Sequence, residues 1–334
     1  MGRIIKWGIL GLGKIADKFV SDLGLVEDAL VLGVGSRDQA KAVAFATAHS
    51  VERAYSSYEA LVNDPDIDII YIASPHSHHY EHAMLCLQHN KAVLCEKAFA
   101  INSRQAQAMI ELASAKKLFL MEALWTKFLP PYKKIMELIE DGAIGSVKNM
   151  LVNFGFVATT RNAARLTKAT LGGGALLDIG VYNVFMVLSV LGRPDRVYAT
   201  MTPSAEGVDE QSAVTFKYNN GTLAQLFSSF TTELANEAHI AGSDGRIKIS
   251  NRFHSPSADV TLYKAGDVPE EQDIVREQGY GYQFEARHVV QCLQNGLTES
   301  PVITHADTLL LMETLDRIRE AAGIVYESDK LETV

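Results

Sequence analysis

A lysine, a tyrosine, two carboxylates and a run of histidines carry most of the chemistry this sequence can offer. Cys95-Glu96-Lys97 closes a short β-rich run, Ala92–Cys95. A lysine at a strand end is commonly just solvated. Beside a carboxylate in a ligand crevice it is also suited to proton transfer, because burial and nearby cationic charge lower an ammonium pKa. Further on, Gly172-Gly173-Gly174-Ala175-Leu176-Leu177-Asp178-Ile179-Gly180-Val181-Tyr182 sets Asp178 and Tyr182 four residues apart, one turn along a single helix face. Their neighbours Leu176, Leu177, Val181, Val184 and Phe185 are apolar, so this helix faces a core. Buried polar groups need partners, and the pair is either a structural Asp–Tyr network or an acid/base pair entering a cleft. Ser74-Pro75-His76-Ser77-His78-His79 holds three histidines in four residues. A metal needs three or four converging ligands, and no Cys/Asp/Glu set accompanies them, so no metal is expected.

A fourth stretch points to a phosphate-bearing ligand. Gly11-Leu12-Gly13-Lys14-Ile15-Ala16 follows the apolar run Ile4–Leu10 and opens a helical pattern, matching G-x-G-x-x-G/A. The first glycine makes the tight turn and the second lets a pyrophosphate approach the backbone. The small Ala16 allows close helix–strand packing, and the helix N-terminus presents N–H donors. Such turns also occur for packing alone, but this position at the head of a βαβ series makes dinucleotide binding the expectation. NAD sites want an acid about 20 residues beyond the glycines to accept from the ribose 2′-hydroxyl. Here the second strand ends Gly35-Ser36-Arg37, a hydroxyl and a guanidinium suited to a 2′-phosphate. Asp38 competes as a ribose acceptor, yet ahead of Gln39-Ala40-Lys41 a helix N-cap role suffices. NADP(H) is therefore favoured over NAD(H).

The elements that must position these residues fall into two patterns. Strands are expected at Ile4–Leu10, Ala29–Gly35, Ile67–Ala73, Ala92–Cys95 and Leu118–Met121. They alternate with helices at Ile15–Leu23, Gln39–His49, Tyr80–His89 and Arg104–Lys116. That alternation is the signature of a doubly wound parallel α/β sheet, whose ligands bind at the strands' carboxyl ends. Past residue 123 the rhythm changes. After a helix near Pro131–Asp141, a strand at Val147–Phe156 and a helix from Ala175 to Leu191, strands follow one another without intervening helices: Arg196–Met201, Ala213–Tyr218, Thr222–Phe230, Glu237–Ala241, Arg246–Ile249 and Asp259–Tyr263. Asn220-Gly221 and Asp244-Gly245 are hairpin signals. Two helices, Phe284–Asn295 and His305–Ala322, finish the chain. The expectation is a dinucleotide domain over 1–123 and an α+β domain over 124–334 with a large, mostly antiparallel, open-faced sheet, the last helix packing back on the first domain. Apolar residues occupy both sets of alternate positions in that sheet, as Leu223, Leu226, Phe227 and Phe230 show. A face left uncovered by helices points to a homodimer through the C-terminal sheet.

Composition narrows the partners. Lys and Arg number 31 against 40 Asp and Glu, a balance of 31 − 40 = −9. Nucleic acid and acidic membranes want a basic footprint, so neither is an expected partner. Cys86, Cys95 and Cys292 are far apart and odd in number, which suits a reduced, cytoplasmic protein. Met1-Gly2-Arg3-Ile4-Ile5-Lys6 lacks the apolar run of a signal peptide. Val181–Leu191 is shorter than the roughly 20 residues of a membrane span.

Taken together, Gly8–Ala16, Tyr71–Lys97, Leu118–Thr126, Gly173–Tyr182, Glu285-Ala286-Arg287-His288 and Glu299–Ile303 resemble the Gfo/Idh/MocA oxidoreductases, and within them the branch of dimeric dihydrodiol dehydrogenases that also act as NADP-dependent D-xylose dehydrogenases. The resemblance covers nearly the whole chain and implies an N-terminal Rossmann domain. It makes Lys97 and Tyr182 the proton-handling residues and sets Asp178 on the substrate hydroxyls. Trp125 and Phe154 line the substrate, with His76 at the pocket wall. Gly11, Leu12, Gly13, Lys14, Ile15, Ser36, Arg37, Ser74, His76, His79, Glu96, Lys97 and Trp125 would lie against the cofactor. Many members carry His at the Tyr182 position, and the usual Pro after Glu-Lys is here Ala98. Arg161 and Arg165 sit on a loop that could bring a guanidinium to the substrate, and neither is assigned a role. The implied reaction is reversible oxidation of a carbinol carbon in a sugar, polyol or vicinal diol. Free tyrosine, with a pKa of about 10, is a poor base near neutrality. A close Lys97 cation would favour the phenolate, or Lys97 would itself carry the proton. The same fold also serves non-catalytic NADP-sensing regulators and NAD-dependent glycoside hydrolases. The retained Lys97, Asp178 and Tyr182 argue against the first, and Ser36-Arg37 against the second.

Overall fold

The structure, a computed structural model, describes residues 2–159, 163–264 and 266–330. Contacts divide the chain into two compact units, Met1–Trp125 with Glu277–Leu309 and Thr126–Arg276 with Leu310–Val334.

In the first unit, β1 (Ile5–Leu10), β2 (Ala29–Gly35), β3 (Arg53–Tyr55), β4 (Ile69–Ile72), β5 (Ala92–Glu96) and β6 (Leu120–Ala123) form one parallel sheet in the order β3-β2-β1-β4-β5-β6. β4 and β5 are buried along their whole length, the pattern of a sheet covered on both faces. Between them run α1 (Lys14–Leu23), α2 (Gln39–His49), α3 (Tyr58–Val62), α4 (His79–Gln88) and α5 (Ser103–Lys116). The strand order reverses between β1 and β4, and ligand crevices of such sheets open at that switch. Two elements escape the sequence reading, β3 and α3. Three and five residues are too few for periodicity to register. What holds α3 is a local cap, the Ala60 amide donating to Ser57 Oγ at 3.0 Å.

The second unit is built on eight strands. They are β7 (Val147–Gly155), β8 (Arg196–Pro203), β9 (Asp209–Lys217), β10 (Leu223–Ser229), β11 (Ala238–Gly242), β12 (Gly245–Ser250), β13 (Asp259–Lys264) and β14 (Glu270–Glu271). Their order is β14-β13-β12-β11-β7-β10-β9-β8, antiparallel throughout except for the parallel pair β7/β10. α6 (Pro130–Glu140) packs at β13 and α7 (Ala163–Thr167) follows β7. The segment Leu176–Gly180, hydrogen-bonded as one π turn, runs into α8 (Val181–Leu191), and both pack on β7 and β10. Val152, Ala224 and Leu226 are buried towards this side, while Leu151, Tyr198 and Leu223 stay exposed. The sheet is thus apolar on an open face as well as a covered one. By length and composition the helical stretch Ala169–Leu191, at 23 residues, can cross a membrane, contrary to the shorter span read from sequence. Its most apolar window is 83% buried inside the unit, as in a core helix.

Residues 277–309 group with the first unit, not with the second to which the sequence boundary at 123 assigns them. The reason is a long-range cap. The buried Asp22 carboxylate near the end of α1 accepts the amides of Tyr280 and Tyr282 at 2.9 and 2.8 Å, at the entry to α9 (Tyr282–Gln294). Phe19 of α1 stacks on Tyr71 at 3.7 Å and meets Tyr282 edge-on at 6.2 Å. The last long helix, α10 (His305–Ala322), contributes its residues through Leu309 to the first unit and the remainder to the second.

Candidate active site

Every sequence-predicted residue of the first unit falls at the carboxyl end of a parallel strand, in the turn beyond it or in the first residues of the helix that follows. Gly11, directly after β1, has φ +91°, and a Cβ there would come within 2.7 Å of the Ser74 backbone nitrogen. Gly13 precedes α1 in extended conformation, no side chain caps the helix, and a Cβ on Gly13 would meet no atom within 4 Å. Leu12 and Ala16 point into the core, and Lys14 and Ile15 outwards. The first amides of α1 are therefore open to an incoming anion, and the backbone is bare at the point a pyrophosphate would approach. These residues fit a dinucleotide.

At the end of β2, Ser36 is buried and its Oγ accepts the Asp38 amide at 3.1 Å, which leaves the hydroxyl proton to donate elsewhere. Arg37 is exposed. Asp38 Oδ1 accepts from the Ala40 and Lys41 amides at 3.0 and 3.2 Å, the N-cap role expected of it.

Beyond β4, Ser74 Oγ meets His82 Nδ1 at 2.9 Å. His76 is buried, its ring 5.6 Å from that of His79. His79 is fully buried between two carbonyl oxygens, Ala98 O at Nδ1 and Ser74 O at Nε2, each 2.8 Å away. Burial lowers its pKa to about 4. The neutral ring has one N–H and donates to one carbonyl at a time, so His79 ties the Ser74 turn to the segment after β5. His78 lies outward, 3.5 Å from Glu81. Among the described residues no three His, Cys, Asp or Glu side chains gather as a metal site.

After β5, Glu96 accepts the Tyr71 hydroxyl at 2.5 Å and the Lys97 amide at 3.2 Å. Lys97 is half-buried, and the Lys97–Ala98 peptide is cis. Behind this lies a buried acidic layer that the sequence reading missed. Among the described residues neither carboxyl oxygen of Glu285 has a hydrogen-bond partner, and burial drives its pKa well above the usual carboxylate value. Burial raises Glu122 to about 7. Two acids whose burial favours the protonated form therefore flank the Glu96 region. Beyond β6, Trp125 stacks on Tyr282 at 4.7 Å with its indole Nε1 buried and unpartnered among the described residues.

In the second unit the π turn and α8 carry Asp178 and Tyr182, both 8% exposed. Arg165 straddles the Asp178 carboxylate, with nitrogens 3.2 and 3.4 Å from its two oxygens. Arg161 lies outside the described residues. Phe154, on β7, is 6.1 Å from the Tyr182 ring and stacks at 4.2 Å on His254, which in turn lies 4.7 Å from Tyr182. His254 was not a sequence candidate, although Phe253-His254 beyond the β12 run was a visible aromatic signal. Its carbonyl accepts from Thr126 Oγ1 at 2.9 Å. Phe154, Tyr182 and His254 offer flat apolar faces beside a carboxylate, a combination suited to a hydroxyl-bearing ring.

Comparison with known proteins bears on both units. Residues 5–124 match the family model described as oxidoreductase family, NAD-binding Rossmann fold, and residues 132–248 match the GFO/IDH/MocA C-terminal domain. The chain is 38% identical over 328 residues to a trans-1,2-dihydrobenzene-1,2-diol dehydrogenase from Xenopus tropicalis, covering 96% of this chain and 99% of the relative. Among solved structures, a 3-ketoreductase from Actinomadura kijaniata in complex with NADP and TDP-benzene is 25% identical with TM-score 0.87, covering 95% of this chain and 98% of the other. The aldose-aldose oxidoreductase from Caulobacter crescentus, complexed with glycerol, shares the fold at TM-score 0.87 and 22% identity, covering 96% of this chain and 98% of the other.

Proposed function

The chain belongs to the Gfo/Idh/MocA oxidoreductases, and from that premise we propose an NADP-dependent dehydrogenase acting on a carbinol carbon of a sugar, polyol or vicinal dihydrodiol. The observation that carries the reading is the gathering of unlike groups at the carboxyl ends of one parallel sheet: an uncapped helix N-terminus at Gly13, the Ser36-Arg37 pair, and Lys97. Ser36 with a proton to donate and Arg37 with an exposed guanidinium suit a 2′-phosphate, and Asp38 is engaged as a cap, which supports NADP over NAD.

The bound nicotinamide would supply the acceptor, at C4, for the electron pair of the breaking carbinol C–H bond. The chain's own residues hold the substrate and move the other proton. Asp178, with up to four acceptor positions, takes substrate hydroxyls alongside Arg165. Phe154 and His254 offer their ring faces to the substrate, and the hydroxyl proton goes to one base, Lys97 or Tyr182, as the carbonyl forms. The chemistry balances as an alcohol giving a carbonyl, one reduced cofactor and one proton. The open sheet face bearing Leu151, Tyr198 and Leu223 supports a homodimer through the C-terminal sheet. Three buried free cysteines suit a reducing compartment such as the cytoplasm.

The test is NADPH formation by the purified protein over a panel of aldoses, polyols and trans-dihydrodiols, with NADP⁺ and NAD⁺ compared. Turnover is expected, faster with NADP⁺. Lys97→Met should lower kcat by roughly 10²–10⁴ while NADP⁺ still binds, the usual range for losing a proton-transfer group. Tight NADP⁺ binding with no turnover on any member of the panel would overturn the reading.

A further inference from the structure

We propose that Tyr326 and Asp209 are positioning residues for the substrate-holding helix, acting by bracing the Gly172–Gly174 turn that leads into it. The proposal rests on the functional reading above only in that Asp178 and Tyr182 are taken to hold the substrate. Neither Tyr326 nor Asp209 lies in a motif of the sequence, and both are nearly or fully buried.

Each contacts the turn at a different point. The Tyr326 hydroxyl donates to the Gly173 carbonyl at 2.5 Å, across 153 residues of chain. Asp209, the first residue of β9, accepts the Leu176 amide through Oδ2 at 2.7 Å, at the start of the π turn. Gly174 lies between them at φ +120°. A Cβ there would stand 2.5 Å from Asp209 Oδ1 and 2.8 Å from the Tyr326 hydroxyl oxygen, so the turn fits only because that residue is glycine. The Asp178 amide then donates to the Gly174 carbonyl at 3.1 Å, coupling the braced turn directly to the residue that would bind substrate.

The brace is itself held firmly. The Tyr326 amide donates to Asp329 Oδ2 at 2.8 Å, and Asp329 accepts from Arg319 at 2.6 and 3.2 Å. Arg319, 4% exposed, also pairs with Asp316 at 2.6 Å and places its guanidinium 5.2 Å from the Tyr326 ring centroid. An ordered arginine with two carboxylate partners anchors the C-terminal segment, whose one hydroxyl reaches the turn. A small error in the placing of Asp178 would be felt in catalysis, since misplacement of about 1 Å can cost on the order of a hundredfold in rate.

The experiment compares Tyr326→Phe, Asp209→Asn and Asp209→Ala with the parent protein. Four readouts are taken: kcat and KM for the carbinol substrate, Kd for NADP⁺, melting temperature, and amide hydrogen exchange over residues 174–182. Tyr326→Phe removes one hydroxyl and keeps the ring. It should lower kcat/KM for the carbinol about tenfold to a hundredfold, leave the Kd for NADP⁺ within about twofold, and speed exchange over 174–182. Asp209→Ala should do the same, and Asp209→Asn, which keeps an oxygen for the Leu176 amide, should recover much of the loss. Unchanged kcat/KM and exchange in both Tyr326→Phe and Asp209→Ala would overturn the brace, as would an equal loss of NADP⁺ affinity. A parent without turnover on the whole panel, with exchange still faster in Tyr326→Phe, would sink the dehydrogenase reading and leave the brace standing.

Discussion

The two units fix their chemically useful side chains by different means. In the first, Ser36 and Lys97 directly follow β2 and β5, and Ser74 and Trp125 come two residues after β4 and β6, so the register of one parallel sheet sets them. In the second, Asp178 and Tyr182 lie on a helical turn whose entry is set by hydrogen bonds from 33 and 153 residues away. Sheet register is shared by many bonds and tolerates the loss of one. A turn held by a few local amide bonds and two long-range contacts shares its load less widely, so point changes should separate the units.

The sharpest separation uses glycine. Gly174→Ala forces a side chain against Asp209 and Tyr326 at positive φ and should cost about 1–3 kcal/mol in stability, seen as a lower melting temperature, together with a fall in turnover. Gly13→Ala meets no atom, so its melting temperature should match the parent while NADP⁺ affinity falls. Equal melting temperatures for the two variants would erase the contrast. Next in size, Arg37→Ala would remove the charge-assisted contact proposed with the 2′-phosphate, worth about 1.5–3 kcal/mol. It should raise the KM for NADP⁺ on the order of tenfold or more, with little change for NAD⁺. An equal rise for both cofactors would refute the 2′-phosphate assignment.

The smallest effect is in pH. Burial holds His79 near about 4, below its ordinary 6.5. Over that interval the unfolded chain binds a proton that the folded one refuses, so the stability contribution of neutral His79 is lost as pH falls from 6.5 towards 4. Burial pushes Asp209 the other way, to about 7 from 3.8. Here the folded protein keeps a proton that the unfolded chain releases, so the contribution is whole below 3.8 and lost as pH rises to 7. Relative to the parent, Asp209→Asn should melt higher at about pH 8 than at about pH 5, and His79→Gln the reverse. Melting curves at the two pH values check this, and shifts of the same sign in both variants would contradict it.

How far the sequence could be read follows the same division. Strand-end residues such as Gly11, Ser36 and Lys97 were legible because the strand, the turn and the residue are neighbours in the chain, whereas Trp125 came only through the family resemblance. The Asp38 cap was legible for the same reason. The four-residue spacing of Asp178 and Tyr182 was visible, but the π hydrogen bonding of Leu176–Gly180, which begins where Asp209 takes the Leu176 amide from 33 residues away, was not. β3 and α3 were missed because periodicity has no purchase on elements that short. His254, Glu285 and Tyr326 gain their surroundings from segments far off in sequence, and no local pattern announces such partners. The same cause moved residues 277–309 across the expected boundary, where Asp22 receives amides about 260 residues distant.

That last arrangement bears on how the protein comes into being. Chains leave the ribosome N-terminus first, and domains tend to fold in that order. Here residues 1–125 emerge without α9, so Asp22 has no amides to receive and Phe19 no Tyr282 edge to meet until residues 280–282 have been made. The unit begun first is thus completed only after most of the second has been made. A nascent chain halted after the parallel sheet should therefore expose the α1 surface to chaperones, whatever the quality of the sheet itself.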